Sequence, residues 1–115
     1  MATYILLMTL TPEGRMQMLD DPESVLHAEN SINVAGVHML GLYGVLGEFD
    51  FVSIVEAPDN ESVGRFSLQL GVRAGAHITT LPTIPISRFE QYKNQPASQG
   101  RTGSSVRPPS PTTGS

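Results

Sequence analysis

Residues 37–57 read VHMLGLYGVLGEFDFVSIVEA, and this stretch decides the fold. It holds two runs rich in β-branched, aromatic and aliphatic residues, Val37–Leu46 and Phe49–Ala57, and each run predicts a strand. The dipeptide Gly47-Glu48 lies between them, and glycine at the first central position suits a type II′ turn. The stretch therefore predicts a tight antiparallel hairpin.

The residues before the hairpin predict one strand followed by helix. Thr3–Leu10 is apolar on both alternating sets, as expected for a strand that is covered on two sides. Thr11-Pro12 is a helix-start signal, and the helical pattern then continues as far as Gly36. Asp21-Pro22 interrupts it, because a residue before proline avoids the helical region. We expect one kinked helix or two short ones.

The residues after the hairpin predict a helix and a fourth strand. Asp59 or Asn60 can cap a helix that ends within residues 71–75. Ala76–Thr83 is rich in β-branched residues, and Ser87–Tyr92 has the pattern of a last helical turn. The complete order is β-α-β-β-α-β, which is the ferredoxin-like α+β arrangement with a four-stranded antiparallel sheet.

Two helices can cover only one face of such a sheet, whereas the strands are apolar on both faces. The third strand places three apolar side chains on one side and two on the other: Phe49, Phe51 and Val55, then Val52 and Ile54. An apolar face of that size needs a cover. We therefore expect a homodimer formed through the open sheet face, that is, a dimeric α/β barrel.

Composition changes near residue 94. Residues 94–115 are dominated by Pro, Ser, Gly and Thr, so they cannot bury enough apolar surface to offset their ordering entropy. We expect a folded domain over residues 1–93 and a disordered tail over residues 94–115. Within that tail, Arg107–Pro111 is similar to a polyproline docking segment, although a solubilising extension is the commoner role.

Charge and residue usage exclude several classes of function. Residues 1–93 carry a net charge of −6, which disfavours nucleic acid because phosphate contacts need clustered Lys and Arg. The absence of cysteine excludes disulfides and thiolate chemistry. No long apolar run or charged signal-peptide start is present, so we expect a cytoplasmic protein without a membrane partner.

Several segments resemble one known family along residues 1 to about 92. The start MATYILLMTLTPEG, the segment Leu46–Asp50 (LGEFD), the run Val55–Asp59 (VEAPD) and the segment Ile78–Leu81 (ITTL) resemble the GYD domain, a family of small bacterial proteins. The resemblance implies a dimeric α/β barrel and no settled activity. Phe49 stands where the family motif has Tyr, so a role that needs a phenol hydroxyl is not expected here.

Three side chains near apolar strands are candidates for catalysis: Asp50, His38 and His77. A carboxylate or imidazole that faces a pocket can act as a general base. The alternatives are ordinary: Asp50 as an acceptor for turn amides, and each histidine as the filler of a half-buried strand position. The three histidines of the chain have no short spacing, so no metal site is expected, and no motif implies a cofactor.

Three further residues around the hairpin are candidates for ligand binding: Tyr43, Glu48 and Phe49. Glu48 also fits a solvated turn position. His38 and Tyr43 are five positions apart on one predicted strand, so regular alternation would point them to opposite faces of the sheet.

These features leave two functions open. The first is a homodimeric protein that binds or senses a small molecule, which agrees with the lack of a concentrated catalytic set. The second is a cofactor-independent enzyme of the small monooxygenase or isomerase type, acting on an apolar substrate in the barrel cavity. A pocket on which Asp50, His38 or His77 converge would favour the enzyme.

Overall fold

The computed structural model describes residues 1–88. The predicted domain end at Lys93, the disordered tail and the Arg107–Pro111 segment lie outside the described residues. So does most of the predicted last helical turn, of which Ser87 and Arg88 are described and are helical. Met1–Thr83 form one compact unit, and residues 84–88 belong to a second one.

The first unit has the predicted order of elements. They are strand β1 (Ala2–Leu10), helix α1 (Pro12–Asp20), helix α2 (Ser24–Ser31), strand β2 (His38–Gly44), strand β3 (Phe51–Ala57), helix α3 (Asn60–Ala74) and strand β4 (Ala76–Pro82). The strands form one antiparallel sheet in the order β2-β3-β1-β4. This confirms the ferredoxin-like α+β prediction.

The helix boundaries follow local chemistry. Asp21 is extended at φ −140°, which splits the first helical segment into α1 and α2 before Pro22. The Thr11 hydroxyl accepts a hydrogen bond from the Gly14 backbone N–H at 3.1 Å, and the Asp59 carboxylate accepts one from Ser62 N–H at 2.8 Å. Both are N-caps. The hydrogen bonds from Ser62 hold the pKa of Asp59 below its ordinary value.

The core lies between the helices and one face of the sheet. Alternate side chains of β1 are buried there, and they meet one apolar side of α3: Tyr4, Leu6, Met8 and Leu10 against Val63, Phe66, Leu70 and Ala74. Within residues 1–88 the other β1 set is only half-buried, at Thr3, Ile5, Leu7 and Thr9. This second face is called the open face below.

The hairpin differs from the prediction. β2 ends at Gly44 and β3 begins only at Phe51, so residues 45–50 form a six-residue loop instead of a two-residue type II′ turn. The cause lies at Asp50, whose N–H donates to the Met8 carbonyl at 2.8 Å and whose carboxylate accepts from the Leu10 N–H at 2.8 Å. Because Asp50 is bound to β1 in this way, the loop closes through Val45 N–H to the Asp50 carbonyl at 3.0 Å.

One junction ties the ends of two helices together. The Gly75 carbonyl, at the end of α3, accepts hydrogen bonds from Thr11 N–H at 2.8 Å and from the Thr11 hydroxyl at 3.0 Å. Gly75 has φ +68°, a left-handed conformation that glycine tolerates. Gly14 is buried against this carbonyl, so α1 begins in direct contact with the turn that ends α3.

Candidate functional site

Two of the candidate residues, His38 and Tyr43 of β2, lie on the open face. His38 pairs with Glu56, Tyr43 pairs with Val52, and both partners belong to the β3 set that points away from the helices. The expectation that His38 and Tyr43 point to opposite faces is therefore wrong. A bulge between Met39 and Gly41 adds one residue and shifts the alternation by one position, so both side chains share the open face.

Gly41, which follows the bulge, leaves room for the ring of Tyr43. A Cβ built on Gly41 would lie 2.9 Å from the Tyr43 ring, which means that the ring covers Gly41 directly. Glycine within a strand commonly marks a bulge or a close approach of this kind.

The structure does not bring the three catalytic candidates together. His38 is on β2 and His77 on β4, the two edge strands, so three strand spacings, or about 14 Å, separate them across the sheet. Along the strands they are further apart, because His38 is level with Thr3 of β1 and His77 with Thr9. Both are exposed. Asp50 accepts a hydrogen bond from the Leu10 N–H at the end of β1, which is an amide of another strand and not one of the hairpin turn.

The remaining ligand candidates lie in the loop of residues 45–50. Glu48 is exposed and Phe49 is half-buried. The side chain at the tip of this loop, Leu46, is fully exposed. Leu46 is therefore available to contact another molecule and takes no part in the core.

Sequence reasoning missed the one buried acidic side chain of the described residues. Glu29, on α2, is 1% exposed, and its Oε2 accepts a hydrogen bond from the Ser53 hydroxyl of β3 at 2.6 Å. Burial raises the pKa of the Glu29 carboxyl above its ordinary value, and the Ser53 hydrogen bond offsets only part of that effect. A signal was present, since Glu29 shares the apolar side of α2 with Val25 and Ala28.

Glu29 lines a groove between α2 and β2, called the α2–β2 groove below. Its volume is about 240 Å³, and most of its walls are aliphatic or thioether side chains: Leu26, Met39, Leu40 and Leu42. Because the β2 bulge falls at Leu40, this extra residue can line the groove beside Met39 and Leu42. Bulges occur preferentially where a strand must re-aim a side chain next to a site.

A second groove runs between α3 and the free edge of β4. It measures about 580 Å³, and His77 is one of its lining residues. Its polar groups include the hydroxyls of Ser67 and Thr80, which are hydrogen-bonded to each other at 2.7 Å. This groove therefore offers hydroxyls that already have partners, whereas the α2–β2 groove offers a buried carboxyl.

Within residues 1–88, no group of three His, Asp or Glu side chains could hold a metal ion. The same residues include no helix long and apolar enough to cross a bilayer. What the described part of the chain provides is an open sheet face, an exposed loop tip and one buried carboxyl on an apolar groove.

These features belong to a known class of small α+β protein. The sequence profile of the GYD domain matches residues 4–92, so the chain belongs to the GYD domain family. It is 36% identical over 88 residues to the glutamine synthetase and cystathionine beta-lyase binding protein of Thermus thermophilus, with 76% of this chain and 93% of that protein covered. The resemblance seen in the sequence is confirmed.

Solved structures with low sequence identity share the fold. A feast or famine regulatory protein from M. tuberculosis, complexed with L-methionine, superposes with a TM-score of 0.57 at 12% identity over 74% of this chain. This chain spans 51% of that longer protein. A second solved structure, of a protein from Thermus thermophilus, gives a TM-score of 0.54 at 21% identity, with 74% of this chain and 95% of that one covered.

Proposed function

We propose that this chain is a cytoplasmic, homodimeric binding protein that pairs with a second copy through its open face and senses a small molecule. The observation that carries the proposal is the open face itself. Among residues 1–83 no helix covers it, although Ile5 and Leu7 of β1 and Ile54 of β3 lie on it in the middle of the sheet.

The dimensions of the open face support pairing. Four strands about 4.8 Å apart, with seven residues at about 3.3 Å each, give a surface of about 400 Å². The centre of this surface is apolar, at Ile5, Leu7 and Ile54, and polar side chains such as His38 and Glu56 lie toward its margin. An apolar centre with a polar rim is the usual anatomy of a protein interface. A second copy covers the face with the same apolar rows, because a two-fold interface uses one patch on both subunits.

The face can be tested by placing a charge at its centre. We expect the unaltered chain to sediment at twice its mass of 12.4 kDa at micromolar concentration. Ile5 pairs with Ile54 on the open face, so Ile5→Glu would bury two unpaired carboxylates in the dimer. We expect this variant to raise the dimer dissociation constant at least 100-fold, as measured by sedimentation equilibrium.

The matched control is Val72→Glu, the same kind of change at an exposed position of α3. It should leave the dimer intact. Circular dichroism of both variants separates lost pairing from lost folding. A native chain that stays monomeric at about 50 micromolar, or an Ile5→Glu dimer as tight as the native one, would contradict the proposal.

Contact with a partner enzyme is a second candidate function. It is motivated by the relative of 36% identity, whose name states that it binds glutamine synthetase and cystathionine beta-lyase. The fully exposed Leu46 at the loop tip, within the segment that resembles the family motif, is the contact residue that we propose.

This candidate is tested with the glutamine synthetase of the organism that encodes the chain. If Leu46 is buried on binding, removing it loses about 1.5–3 kcal/mol of apolar burial, so we expect Leu46→Ser to weaken binding about tenfold or more in biolayer interferometry. Leu68→Ser, at an exposed position of α3, is the control and should bind normally. If the two variants bound glutamine synthetase with equal affinity, Leu46 would not be part of the interface.

The enzyme alternative stays a prediction. Among residues 1–88 its three candidate side chains do not converge on one pocket. Asp50, His38 and His77 lie apart in the sheet, and Asp50 is engaged by a backbone N–H. The net charge of −6 over residues 1–93 supports partners other than nucleic acid. Binding, rather than turnover, is thus the function that the arrangement supports best.

A further inference from the structure

We propose that the α2–β2 groove binds a small primary amine, with its ammonium group on the Glu29 carboxylate and its aliphatic body against the leucine and methionine walls. The inference deepens the proposed function, since it names the site and the chemical class of the sensed molecule. It starts from a carboxyl that the fold buries without a full set of partners.

Glu29 lacks a cationic partner within the described part of the chain. The three ion pairs found among residues 1–88 all involve other acids. Arg73 reaches α2, but it donates to the carbonyl and the hydroxyl of Ser31, at 2.8 Å and 2.9 Å. Ser53 is therefore the one hydrogen-bond partner of the Glu29 carboxyl in residues 1–88, and it occupies Oε2 only.

Glu29 borders the groove although its side chain is only 1% exposed, so the groove reaches it through a narrow opening. A carboxylate can accept several hydrogen bonds, so Oε1 of Glu29 has unused capacity after Ser53 is counted. Oε1 is not among the fully buried polar atoms that lack a partner within residues 1–88. Since Glu29 itself lines the groove, Oε1 is the carboxylate oxygen that we assign to a donor bound there.

The chemistry of the walls selects the ligand. A buried carboxylate is stabilised by a cation with hydrogen-bond donors, and repels an anion. A metal ion is disfavoured, because no set of three ligating side chains lies together in residues 1–88. A primary ammonium supplies three donors, and an aliphatic body of a few carbons buries the exposed parts of Leu26, Met39 and Leu40.

The test uses three probes of one shape on the full chain: n-pentylamine, n-pentanol and n-pentanoate. We expect isothermal titration calorimetry at pH 8 to show the amine binding at least tenfold more tightly than the alcohol, and no binding of the acid. The Glu29→Gln variant keeps the size and an acceptor for Ser53 but removes the charge, so it should lose the preference for the amine.

Glu23→Gln is the matched control, since Glu23 is an exposed acid that immediately precedes α2. It should bind n-pentylamine as the native chain does. Equal amine affinity in the Glu29→Gln and native proteins, or binding of n-pentanoate as tight as that of the amine, would overturn the inference. Sedimentation of the same samples reports dimerisation separately, so failure of amine binding alone leaves the proposed homodimer standing.

Discussion

Gly14→Ala is expected to lower the free energy of unfolding by about 2–4 kcal/mol, although alanine is the better helix former by about 1 kcal/mol. Gly14 is buried in the first turn of α1, and an added Cβ would lie 2.1 Å from the Gly75 carbonyl oxygen and 2.9 Å from that of Ala74. These are backbone atoms, so no side-chain rotation relieves the overlap. Urea unfolding at fixed protein concentration measures the loss.

The clash falls on the junction that caps α1. The Gly75 carbonyl holds both the N–H and the hydroxyl of Thr11, and that hydroxyl in turn caps the N–H of Gly14. Moving the carbonyl away from a methyl group at residue 14 therefore weakens three hydrogen bonds, each worth about 1 kcal/mol.

Gly64→Ala in α3 is the matched control. A Cβ at Gly64 would meet nothing within 4 Å, so only the helix preference acts. We expect this substitution to stabilise the protein by about 0.5–1 kcal/mol. If both substitutions changed stability in the same direction, contact with Gly75 would not be the controlling interaction at Gly14.

Local signals in the sequence predict the elements well because each is set by nearby residues. Thr11-Pro12 starts α1, the residue before Pro22 ends it, and Asp59 caps α3. These are interactions over a few positions, so a single sequence contains both partners. The order of the strands then follows from the ferredoxin-like arrangement.

Predictions for the β2–β3 hairpin failed where long-range contacts decide. The loop length is set by the bonds of Asp50 to Met8 and Leu10, some forty residues earlier in the chain. The shared face of His38 and Tyr43 depends on a bulge, which the strand glycines favour but whose position strict alternation does not give. Turn propensity and strict alternation describe only the local chain, and here tertiary pairing overrides both.

The candidate site was harder to predict than the fold. The histidines and Asp50 are candidates because their side chains can act as bases, whereas in the sequence Glu29 is one polar residue of an ordinary helical pattern. Its importance depends on Ser53, which lies 24 residues away and faces it across the core. A polar residue on the apolar side of a helix, together with a serine inside an apolar strand, is the combination that predicts such a pair.

Glu29→Gln is expected to raise the melting temperature by about 4–8 °C at pH 8, which corresponds to about 1 kcal/mol in a domain of this size. A carboxylate in the core loses hydration that a single serine hydroxyl does not replace. Glutamine keeps an acceptor for Ser53 without the charge. Thermal unfolding followed by circular dichroism between pH 4 and pH 8, at one protein concentration, measures the difference.

The direction of the pH dependence follows from the raised pKa of Glu29. Between the ordinary and the raised pKa the folded protein holds a proton that the unfolded chain has lost, so stability falls as pH rises through that window. Asp21 and Asp59 have lowered pKa values and act oppositely, with stability lost as pH falls. Since both remain in the variant, they cancel when the two proteins are compared.

The difference between Glu29→Gln and the native protein should therefore be small near pH 4 and grow with pH. A constant difference would show that ionisation of Glu29 is not its cause, and a variant that is less stable at pH 8 would show that the carboxylate stabilises the fold. The expected gain in stability matters for function, because a residue that destabilises the native state and has a neutral substitute of equal size serves no structural purpose. If Glu29→Gln is more stable and no longer prefers n-pentylamine, then the buried carboxylate destabilises the fold and serves ligand binding.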